Sequence, residues 1–389
     1  MTLRERTVST GPAVPAAPTP PAGPSPDRAR SASVADSIRR IEAAFCSQSR
    51  IRSEAPSGDI RDTVALPRVT VVVPCKQRAD YLPATLESIL AQDYANLECI
   101  VVDGGSTDGT MELLRAYEAR GVRWLSEPDG GAFDAINKGW QLGSGEIIAW
   151  LNADDTWEPG AVSAAVAAFA ADPTVDVVYG ACGLMDDDGH VSRVFPARPF
   201  SLDVSVLYCD HIIMQSASFL RRRAVADAGW LFPAWTHDQE LWLRIALNGG
   251  GFAAIDRQLA NVREAAGHMH TRPEVMIPAR IAMMRRFFAR ADVPAGLRAN
   301  EARAMSNAYV RGLDVLRPRR AADWRWAWFC IANAVRACPS NTPFVARGVV
   351  ERVAARLREV RRPRAPRTFA IAALAAAVVA LGWRAAPRH

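Results

Sequence analysis

The sequence predicts an α/β protein in which a mostly parallel β-sheet is flanked by helices, with a helical, basic extension at its C-terminal end. Two observations predict this class. Short apolar runs rich in β-branched residues, such as RVTVVVP at 68–74, recur between turn residues and are typical of strands buried on both faces. Segments with helical spacing separate them, and this alternation is typical of parallel sheets with helices on both faces.

Five strands and four helices alternate in the predicted α/β region. Pro83 and Pro159 suit first helical turns, and Ser106, Asp108 or Thr110 are capping candidates for the second helix. We expect the strands at 68–74, 97–102, 122–125, 146–151 and 175–179, and the helices at 83–92, 110–120, 132–142 and 159–170.

The pattern is less regular after residue 180. A hairpin is predicted over 180–195 because the sequence Asp187-Asp188-Gly189 favours a turn. Helices are predicted over 219–228 and 238–247. From residue 278 onward the chain is expected to be mostly helical and is rich in arginine.

Composition divides the chain into three predicted regions. Residues 1–66 are predicted to be a disordered, Pro/Ala-rich segment, because residues 1–35 are too poor in large apolar side chains to fold and residues 47–66 are typical of a linker. One short helix is expected between them, at 37–46. The α/β domain is expected at 67–270, where the acids dominate: residues 1–270 contain 24 Lys/Arg and 34 Asp/Glu, a net charge of −10. The helical region at 271–389 contains 23 Arg and 7 acidic residues, a net charge of +16, and suits an anionic partner such as lipid.

Cysteine usage and the two ends of the chain bear on its location. The seven cysteines are scattered without CxxC spacing, which favours a reduced, cytosolic protein over a disulfide framework or a zinc site. The polar, Pro/Ala-rich start predicts no secretory signal peptide.

A set of tail arginines forms either a solvated helical face or a contact with an anionic membrane surface. These are Arg352, Arg356, Arg358, Arg361, Arg362, Arg364 and Arg367.

The uncharged run at 369–383 is a candidate membrane contact. Its fifteen residues, seven of them alanine, would rise about 22 Å as a helix, against a bilayer core of about 30 Å. The run therefore favours an interfacial anchor over a full span.

Acidic residues follow two of the predicted strands. The apolar run at 147–151 leads through Asn152 and Ala153 into Asp154 and Asp155, and the run at 100–102 leads into Asp103. Ligands of open α/β sheets lie at the carboxyl ends of the strands, and adjacent carboxylates repel each other unless a cation compensates them. Mg²⁺ and Mn²⁺ bind both carboxylate and diphosphate oxygens. We expect Asp154 and Asp155 on a strand that neighbours the strand of Asp103, and together the three aspartates predict a site for a metal and a nucleotide. The alternatives are a helix cap before Pro159 and, for Asp103, a turn aspartate that serves its own backbone.

A further acidic residue, Asp238, begins the predicted helix at 238–247. It either caps that helix and complements its dipole or acts as a general base near a sugar hydroxyl, held where the helix begins. Both interpretations stay open from these residues alone.

Five motifs in order give the chain a family resemblance. The sequences RVTVVVPCKQRADYLPATLESIL, VVDGGSTDGT, SEPDGGAFDAINKG, GEIIAWLNADD and HDQELWLRIA together resemble family 2 glycosyltransferases of the GT-A fold. The resemblance covers residues 68–265 and is nearest to the exopolysaccharide and colanic-acid type. It implies an inverting transfer of a sugar from a nucleotide-diphosphate donor to an acceptor hydroxyl.

The resemblance also implies roles for individual residues. Asp103 would contact the donor base, and Asp154 and Asp155 would form the metal and ribose site, with Asp155 as the more direct ligand. Asp238 would deprotonate the acceptor, and Arg244 would brace its helix or contact the diphosphate. The donor pocket would be lined by Asp129, Gly130, Asn137 and Lys138, and the acceptor side by Gln215.

The chain also departs from the family pattern. The sequence Cys75-Lys76-Gln77 replaces the usual Thr-Tyr-Asn-like run, which puts the base-stacking contact in doubt. Gly104 and Asn152 replace frequent aspartates, and His237 replaces the acid that is usual before the base. Beyond the base, His268 and His270 have a spacing that fits either metal ligation or, in the favoured interpretation, a surface loop.

Together these features predict an inverting, metal-dependent glycosyltransferase with a Mg²⁺ or Mn²⁺ cofactor. We expect a nucleotide-sugar donor, a glycan or lipid-linked acceptor, peripheral membrane contact at the cytoplasmic face of the cell membrane, and no nucleic acid partner. A dinucleotide-binding oxidoreductase is disfavoured because the first strand is not followed by a GxGxxG fingerprint. A non-catalytic sugar-nucleotide binder or scaffold that acts through its basic C-terminal region is the remaining alternative.

Overall fold

The computed structural model describes residues 66–232, 237–264, 272–316 and 321–359. The predicted disorder before residue 66, the histidines His268 and His270, and the apolar run at 369–383 lie outside these ranges. The side chains of the tail arginines after Arg352 are not described either. Within the described ranges a single mixed sheet carries helices on both faces, followed by a helical C-terminal region.

Nine strands make up the sheet within the described residues. They are β1 (Val69–Cys75), β2 (Leu97–Asp103), β3 (Arg123–Ser126), β4 (Ile147–Trp150), β5 (Thr156–Trp157), β6 (Val175–Met185), β7 (Val191–Phe195), β8 (Ser218–Arg221) and β9 (Gly251–Arg263). Their spatial order is β3-β2-β1-β4-β8-β6-β9-β5, and β7 pairs with β6.

The α-helices alternate with the first strands and then dominate the C-terminal part of the described chain. They are α1 (Leu82–Leu90), α2 (Thr110–Glu118), α3 (Ala132–Leu142), α4 (Ala161–Ala171), α5 (Leu202–Leu207), α6 (Arg222–Ala228), α7 (Gln239–Leu247), α8 (Pro273–Ala289), α9 (Ala295–Arg298), α10 (Glu301–Gly312), α11 (Ala321–Ala337) and α12 (Thr342–Glu359).

Parallel pairing brings the acidic strand ends to one edge of the sheet. β1 pairs in parallel with β2 on one side and β4 on the other, and Cys75 lies opposite Asp103. β1 therefore separates the two acidic strands, so the expectation that Asp103 lies on a strand neighbouring that of Asp154 and Asp155 is wrong. The three carboxyl ends still meet at the same edge because the three strands run in one direction.

The sheet continues beyond β4 with strands that the sequence pattern did not reveal. Residues 218–221 form β8, antiparallel to both β4 and β6, so the helix predicted over 219–228 begins only at Arg222. The physical reason is that Phe219 and Leu220 are both fully buried, one on each face of the sheet, as in a central strand. The long strand β9 was also not predicted, whereas the hairpin at 180–195 is confirmed as β6 and β7.

Alternation along β1 supplies the two cores of the sheet. Val71 and Val73 pack with α1, α2 and α4 on one face, and Val72 packs with α3 and α7 on the other. On this second face the indole of Trp242 in α7 stacks on Trp150 of β4, with ring centroids 5.9 Å apart and planes at 15°. This contact holds the start of α7, and with it Asp238, at the edge of the sheet where β4 ends.

The C-terminal helices pack against the α/β part instead of standing apart from it. One apolar cluster joins Val206 of α5 and Leu243 of α7 to residues of α8, α10, α11 and α12. A buried ion pair adds to it, in which Arg286 of α8 contacts Glu240 in the first turn of α7. In the part of the chain that is described, no helix is both long enough and apolar enough to cross a membrane.

Candidate active site

The segment after β4 carries a pair of acidic side chains with unequal exposure. Asp155 is 1% exposed, and its Oδ2 accepts hydrogen bonds from Ser216 Oγ (2.7 Å) and Asn152 Nδ2 (2.9 Å). Its Oδ1 accepts from the backbone N–H of Arg263 at 3.1 Å. Asp154 is 8% exposed and lies nearer the surface. Asp155 is thus held by its own surroundings, and Asp154 is the more accessible member of the pair.

This pair is electrostatically unfavourable on its own. Burial, and next the charge of Asp154, raise the pKa of Asp155 to about 7. The three hydrogen bonds to Asp155 act in the opposite direction but do not cancel these effects. A divalent cation with oxygen ligands would relieve the repulsion, so this pair of residues fits the cation that the sequence predicts.

Two arginines that the sequence reasoning did not include surround the pair. Arg78, after β1, places Nε 3.2 Å from Asp154 Oδ2. Arg263, at the end of β9, donates from Nε to the carbonyl of Asp154 at 3.0 Å. Its guanidinium carbon lies over the ring of Tyr81, 4.8 Å from the ring centroid. Arg263 also donates to the carbonyl of Asp187 at 2.7 Å, so it ties the acidic segment to the β6–β7 turn. Both arginines are distant in sequence from the aspartates, which is why no local signal marked them.

Asp103 organises the loop that follows β2. It is fully buried, and Oδ2 accepts from the N–H of Gly105 (3.1 Å), the N–H of Ser106 (2.9 Å) and Ser126 Oγ (2.7 Å). Ser106 Oγ also donates to Oδ1. These contacts are those of the turn aspartate considered as the alternative, and the predicted contact with a donor base stays a prediction.

The glycine that replaces a frequent aspartate after Asp103 is in close contact with the predicted donor loop. A Cβ atom at Gly104 would lie 2.7 Å from Asp129 Oδ2. Asp129 in turn accepts from the N–H of Gly131 at 2.9 Å, and the N–H of Gly130 donates to Asp134 at 2.9 Å. The loops after β2 and β3 therefore approach each other through a position where a side chain would force Asp129 to move.

Two residues predicted to bind substrate are engaged in structural contacts. The Asn137 amide accepts from the N–H of Leu231 (3.1 Å) and donates to its carbonyl (2.5 Å), so it anchors the segment before α7, and its predicted place in the donor pocket stays a prediction. Lys138 pairs with Glu127 (2.7 Å) and Asp134 (3.2 Å).

Arg244 braces the helix that carries the predicted base. Its guanidinium donates to the carbonyls of Ala228, Gly229 and Trp230, the last at 3.0 Å, and burial lowers its pKa to about 10. Of the two roles considered for Arg244, the bracing role matches these contacts, and the diphosphate contact does not.

Asp238 sits at the N-terminus of α7 beside a histidine that the sequence reasoning missed. Its Oδ1 accepts from the N–H of Gln239 at 3.0 Å, as a helix cap does, while Oδ2 lies 3.2 Å from Nε2 of His211. Burial acts to raise the pKa of Asp238, but the neighbouring His211 outweighs it, and the net shift is downward. Conversely, burial acts to lower the pKa of His211, and Asp238 raises it overall. Capping and proton acceptance are compatible because they use different carboxylate oxygens.

His237, which precedes the predicted base, is uncharged near neutral pH. Burial, and next the charge of Arg280, lower the pKa of His237 to about 3. An uncharged His237 leaves His211, whose pKa is raised by Asp238, as the histidine that pairs with Asp238. His211 precedes the apolar run at 212–214 that leads to Gln215, and its only sequence signal was this position.

Gln215 lies behind the acidic pair. Its Nε2 donates to Ser216 Oγ at 2.6 Å, and Ser216 Oγ donates in turn to Asp155. Within the described ranges its Oε1 is buried without a hydrogen-bond partner. The chain Gln215–Ser216–Asp155 connects the predicted acceptor side to the predicted metal site.

The fold and the site together define a class of protein. Aspartates end β2 or follow β4 at one edge of the sheet, and a helix-capping aspartate with a histidine partner begins α7, which packs on β4. An α/β sheet with its polar side chains at the carboxyl ends of its strands binds its ligand there, which agrees with the sugar-transferring class of the GT-A fold that the sequence resembles.

Sequence comparison specifies the family. Residues 70–230 match the model of glycosyl transferase family 2. The chain is 35% identical over 185 residues to an uncharacterized glycosyltransferase of Mycobacterium tuberculosis, covering 46% of this chain and 70% of that protein. It is 28% identical over 193 residues to an uncharacterized glycosyltransferase of Rickettsia prowazekii, covering 48% of this chain but only 60% of that one. The chain belongs to glycosyl transferase family 2.

Solved structures agree on the fold. Staphylococcus aureus TarS 1–349 in complex with UDP-GlcNAc has a TM-score of 0.55 at 17% identity, over 73% of this chain and 85% of that one. The mannosyltransferase PcManGT of Pyrobaculum calidifontis, in complex with GDP-Man and Mn²⁺, has a TM-score of 0.51 at 21% identity, over 90% and 94%. The GT-A fold predicted from the sequence is confirmed.

Proposed function

We propose that this chain is an inverting, metal-dependent glycosyltransferase that moves a sugar from a nucleotide-diphosphate donor to an acceptor hydroxyl. The observation that carries the proposal is the joint placement of two acidic centres. Asp154 and Asp155 lie in the segment between β4 and β5, and the Trp150–Trp242 stack holds the helix of Asp238 against β4. Asp154 and Asp155 suit a cation that binds the leaving diphosphate, and Asp238 suits a base that takes the acceptor proton.

A nucleotide-sugar donor is supported from two directions. The carboxyl ends of β2, β1 and β4 form the edge at which α/β sheets bind their ligands. TarS and PcManGT, which share the fold, are in complex with UDP-GlcNAc and GDP-Man respectively. We place the donor along this edge, between the loop of Asp103 and the segment of Asp154, with the glycines at 130–131 near its diphosphate.

A divalent cation would be held chiefly by Asp154. Asp155 is less exposed and already accepts three hydrogen bonds, so we revise the initial preference for Asp155 as the direct ligand and assign it to orienting the segment. When bound, the cation would supply positive charge to the leaving diphosphate. The Mn²⁺ of PcManGT supports a divalent ion here without deciding between Mg²⁺ and Mn²⁺.

Asp238 is the proposed general base. Its Oδ2 lies outside the helix-capping contact and is positioned by His211, so it can accept the proton of an acceptor hydroxyl as that oxygen attacks the sugar. A single displacement of this kind inverts the anomeric centre and needs one base. Arg244, on the same helix as the base, donates to the carbonyls at 228–230 and so fixes that helix to the segment after α6.

The net charge of the C-terminal region supports a reaction at the membrane surface. The strongly basic region at 271–389, with a net charge of +16, would hold the enzyme on the anionic cytoplasmic face of the cell membrane. Lipid-linked or glycan acceptors would be accessible there. The resemblance to exopolysaccharide-type members supports a role in cell-surface polysaccharide assembly.

A donor panel tests the function. Binding and turnover of UDP-, GDP- and dTDP-sugars are measured with Mn²⁺, with Mg²⁺ and with EDTA, using wild type, Asp238→Asn and a control, Asp93→Asn. Asp93 follows the C-terminal end of α1 and accepts a hydrogen bond from Ser163 Oγ at 2.7 Å. We expect metal-dependent binding of one donor, and loss of turnover of about 10²- to 10⁴-fold in Asp238→Asn with donor binding retained.

Three results would contradict the proposal or one of its parts. Failure of the folded wild type to bind any donor would remove the catalytic function and leave the alternative of a scaffold acting through the basic region. Equal turnover of wild type and Asp238→Asn would remove Asp238 as the base. A product that retains the donor's anomeric configuration would contradict inversion.

A further inference from the structure

Arg78 occupies a position between the proposed metal site and the proposed donor loop. We propose that Arg78 binds the donor diphosphate, and that in the absence of donor its guanidinium rests on Asp154 in the place where the cation acts. This inference rests on the proposed function and adds a donor-binding residue to it. Arg78 follows β1, the strand that lies between the ends of β2 and β4.

The backbone before Arg78 is held in an unfavourable conformation. Gln77 has a φ of +54°, in the left-handed region that residues with a side chain rarely adopt. Its N–H donates to Ser106 Oγ at 2.7 Å, its Nε2 donates to Thr107 Oγ1 at 3.0 Å, and its Oε1 accepts from the N–H of Thr107 at 2.8 Å. Strain of this kind persists only where the surroundings enforce it, and it concentrates at ligand sites.

These contacts join the two acidic loops through Arg78. Ser106, which receives the Gln77 N–H, also donates to Asp103. On the other side of Arg78, the N–H of Ala79 donates to Asp108 at 3.0 Å. The loop after β1 is therefore fixed to the loop after β2 both before and after Arg78, which directs the Arg78 side chain across the end of β1 toward Asp154.

The guanidinium is anchored at one side only. Nε contacts Asp154 and Nη1 donates to the carbonyl of Gln77 at 3.2 Å, and the side chain is 40% exposed. Among the described contacts of Arg78, none involves Nη2. A planar guanidinium with an available edge is suited to the oxygens of a phosphate group.

The pair with Asp154 can separate at little cost. Ion pairs that are partly exposed contribute little to stability, and the loop is shaped by Gln77 and Ala79 and not by this pair. Asp154 would hold the cation through the carboxylate that Arg78 contacts here. With that carboxylate taken up, the Arg78 guanidinium would be released to bind the oxygens of the donor diphosphate.

Two binding measurements on Arg78→Gln test the exchange. The first is the affinity of the metal-free protein for Mn²⁺ alone, by calorimetry or by the electron paramagnetic resonance signal of free Mn²⁺. The second is the affinity for UDP and GDP at saturating Mn²⁺. Arg115→Gln on α2 is the matched control because Arg115 forms an exposed ion pair with Glu112 away from the strand ends. Thermal melts confirm that each variant is folded.

We expect opposite changes in the two affinities. Arg78→Gln should bind Mn²⁺ alone several-fold more tightly, because its competitor for Asp154 is gone, and should bind the nucleoside diphosphate about 10- to 100-fold more weakly, because a charge-assisted contact is lost. Arg78→Lys keeps the charge without the planar fork, so its Mn²⁺ affinity should match wild type while its nucleotide affinity falls by a smaller factor. The control should change neither.

The outcomes separate this inference from the function on which it rests. A wild type that binds no nucleoside diphosphate overturns the proposed function and this inference together. A wild type that binds one, with Arg78→Gln binding it equally well, overturns the inference alone. A parallel loss of both affinities in Arg78→Gln also overturns it, because it would show that Arg78 maintains the shape of the site.

Discussion

Replacement of Asp155 by asparagine should stabilise the metal-free protein at neutral and higher pH. The carboxylate is 1% exposed and lies beside Asp154, and burial followed by that charge raises its pKa to about 7. An asparagine has nearly the same shape and keeps an oxygen for the N–H of Arg263. Ser216 and the amide of Asn152 can reorient to accept from its NH₂ group, since a hydroxyl and an amide each offer both donor and acceptor atoms.

The sign and size follow from proton linkage. In the unfolded chain the carboxyl group has its ordinary pKa of 3.8, so between about pH 4 and 7 the folded state holds a proton that the unfolded state has lost. The stability that Asp155 contributes is thus present below pH 4 and is lost as the pH rises to about 7. A shift of about three units corresponds to an upper limit of about 4 kcal/mol.

Urea unfolding of wild type and Asp155→Asn at pH 5 and pH 8, in EDTA, measures the effect. Because pH 5 to pH 8 covers about two of these three units, we expect the free energy of unfolding of wild type to fall between the two pH values by up to about 3 kcal/mol more than that of the variant. Asp188→Asn, in the exposed β6–β7 turn, is the control. An equal pH dependence in wild type and Asp155→Asn would refute the reasoning, because it would show that Asp155 is not held protonated by its surroundings.

Three further predictions concern the remaining contacts. Because a cationic His211 weakens Asp238 as a base, kcat/KM should rise with pH through a pKa above 6.5, and His211→Gln should remove that rise; an unchanged profile would assign it to another group. Gly104→Ala should displace Asp129 and raise the donor KM several-fold with little change in Tm, and a fall in Tm alone would contradict this. Asn137→Ala should lower the free energy of unfolding by about 2 to 4 kcal/mol, measured in urea, because two buried backbone groups lose their partners; a selective effect on donor binding would instead restore its predicted pocket role.

Local sequence signals predicted the first half of the sheet well. The strand β1, the acids at the ends of β2 and β4, and the helix that begins after Asp238 all have short-range patterns, namely β-branched runs, turn residues and a capping aspartate. These features depend on neighbours within a few residues. The structure therefore confirms them, with boundaries shifted by one or two positions.

The remaining features depend on contacts between distant parts of the chain. Residues 218–221 have helical composition but form β8 because two strands already flank them. His211 and Arg78 reach Asp238 and Asp154 across 27 and 76 residues respectively. No spacing rule marks such pairs, since each residue has an ordinary local setting. The same reason explains Asn137, whose place in a family motif suggested a ligand contact while its amide holds a backbone 94 residues away.

The C-terminal helices support the proposed base directly, whatever their relation to a membrane. Glu240, two residues after Asp238, pairs with Arg286 of α8, and the ring of Phe232 lies against both Arg286 and Arg244 at 4.6 and 4.8 Å. Arg244 in turn fixes the carbonyls that precede Asp238 in the chain. The position of the base is thus set from two sides, by the sheet through Trp242 and by the C-terminal region through Glu240. Some of the positive charge in that region therefore serves the geometry of the site, so a membrane contact would act on the same helices that hold the base.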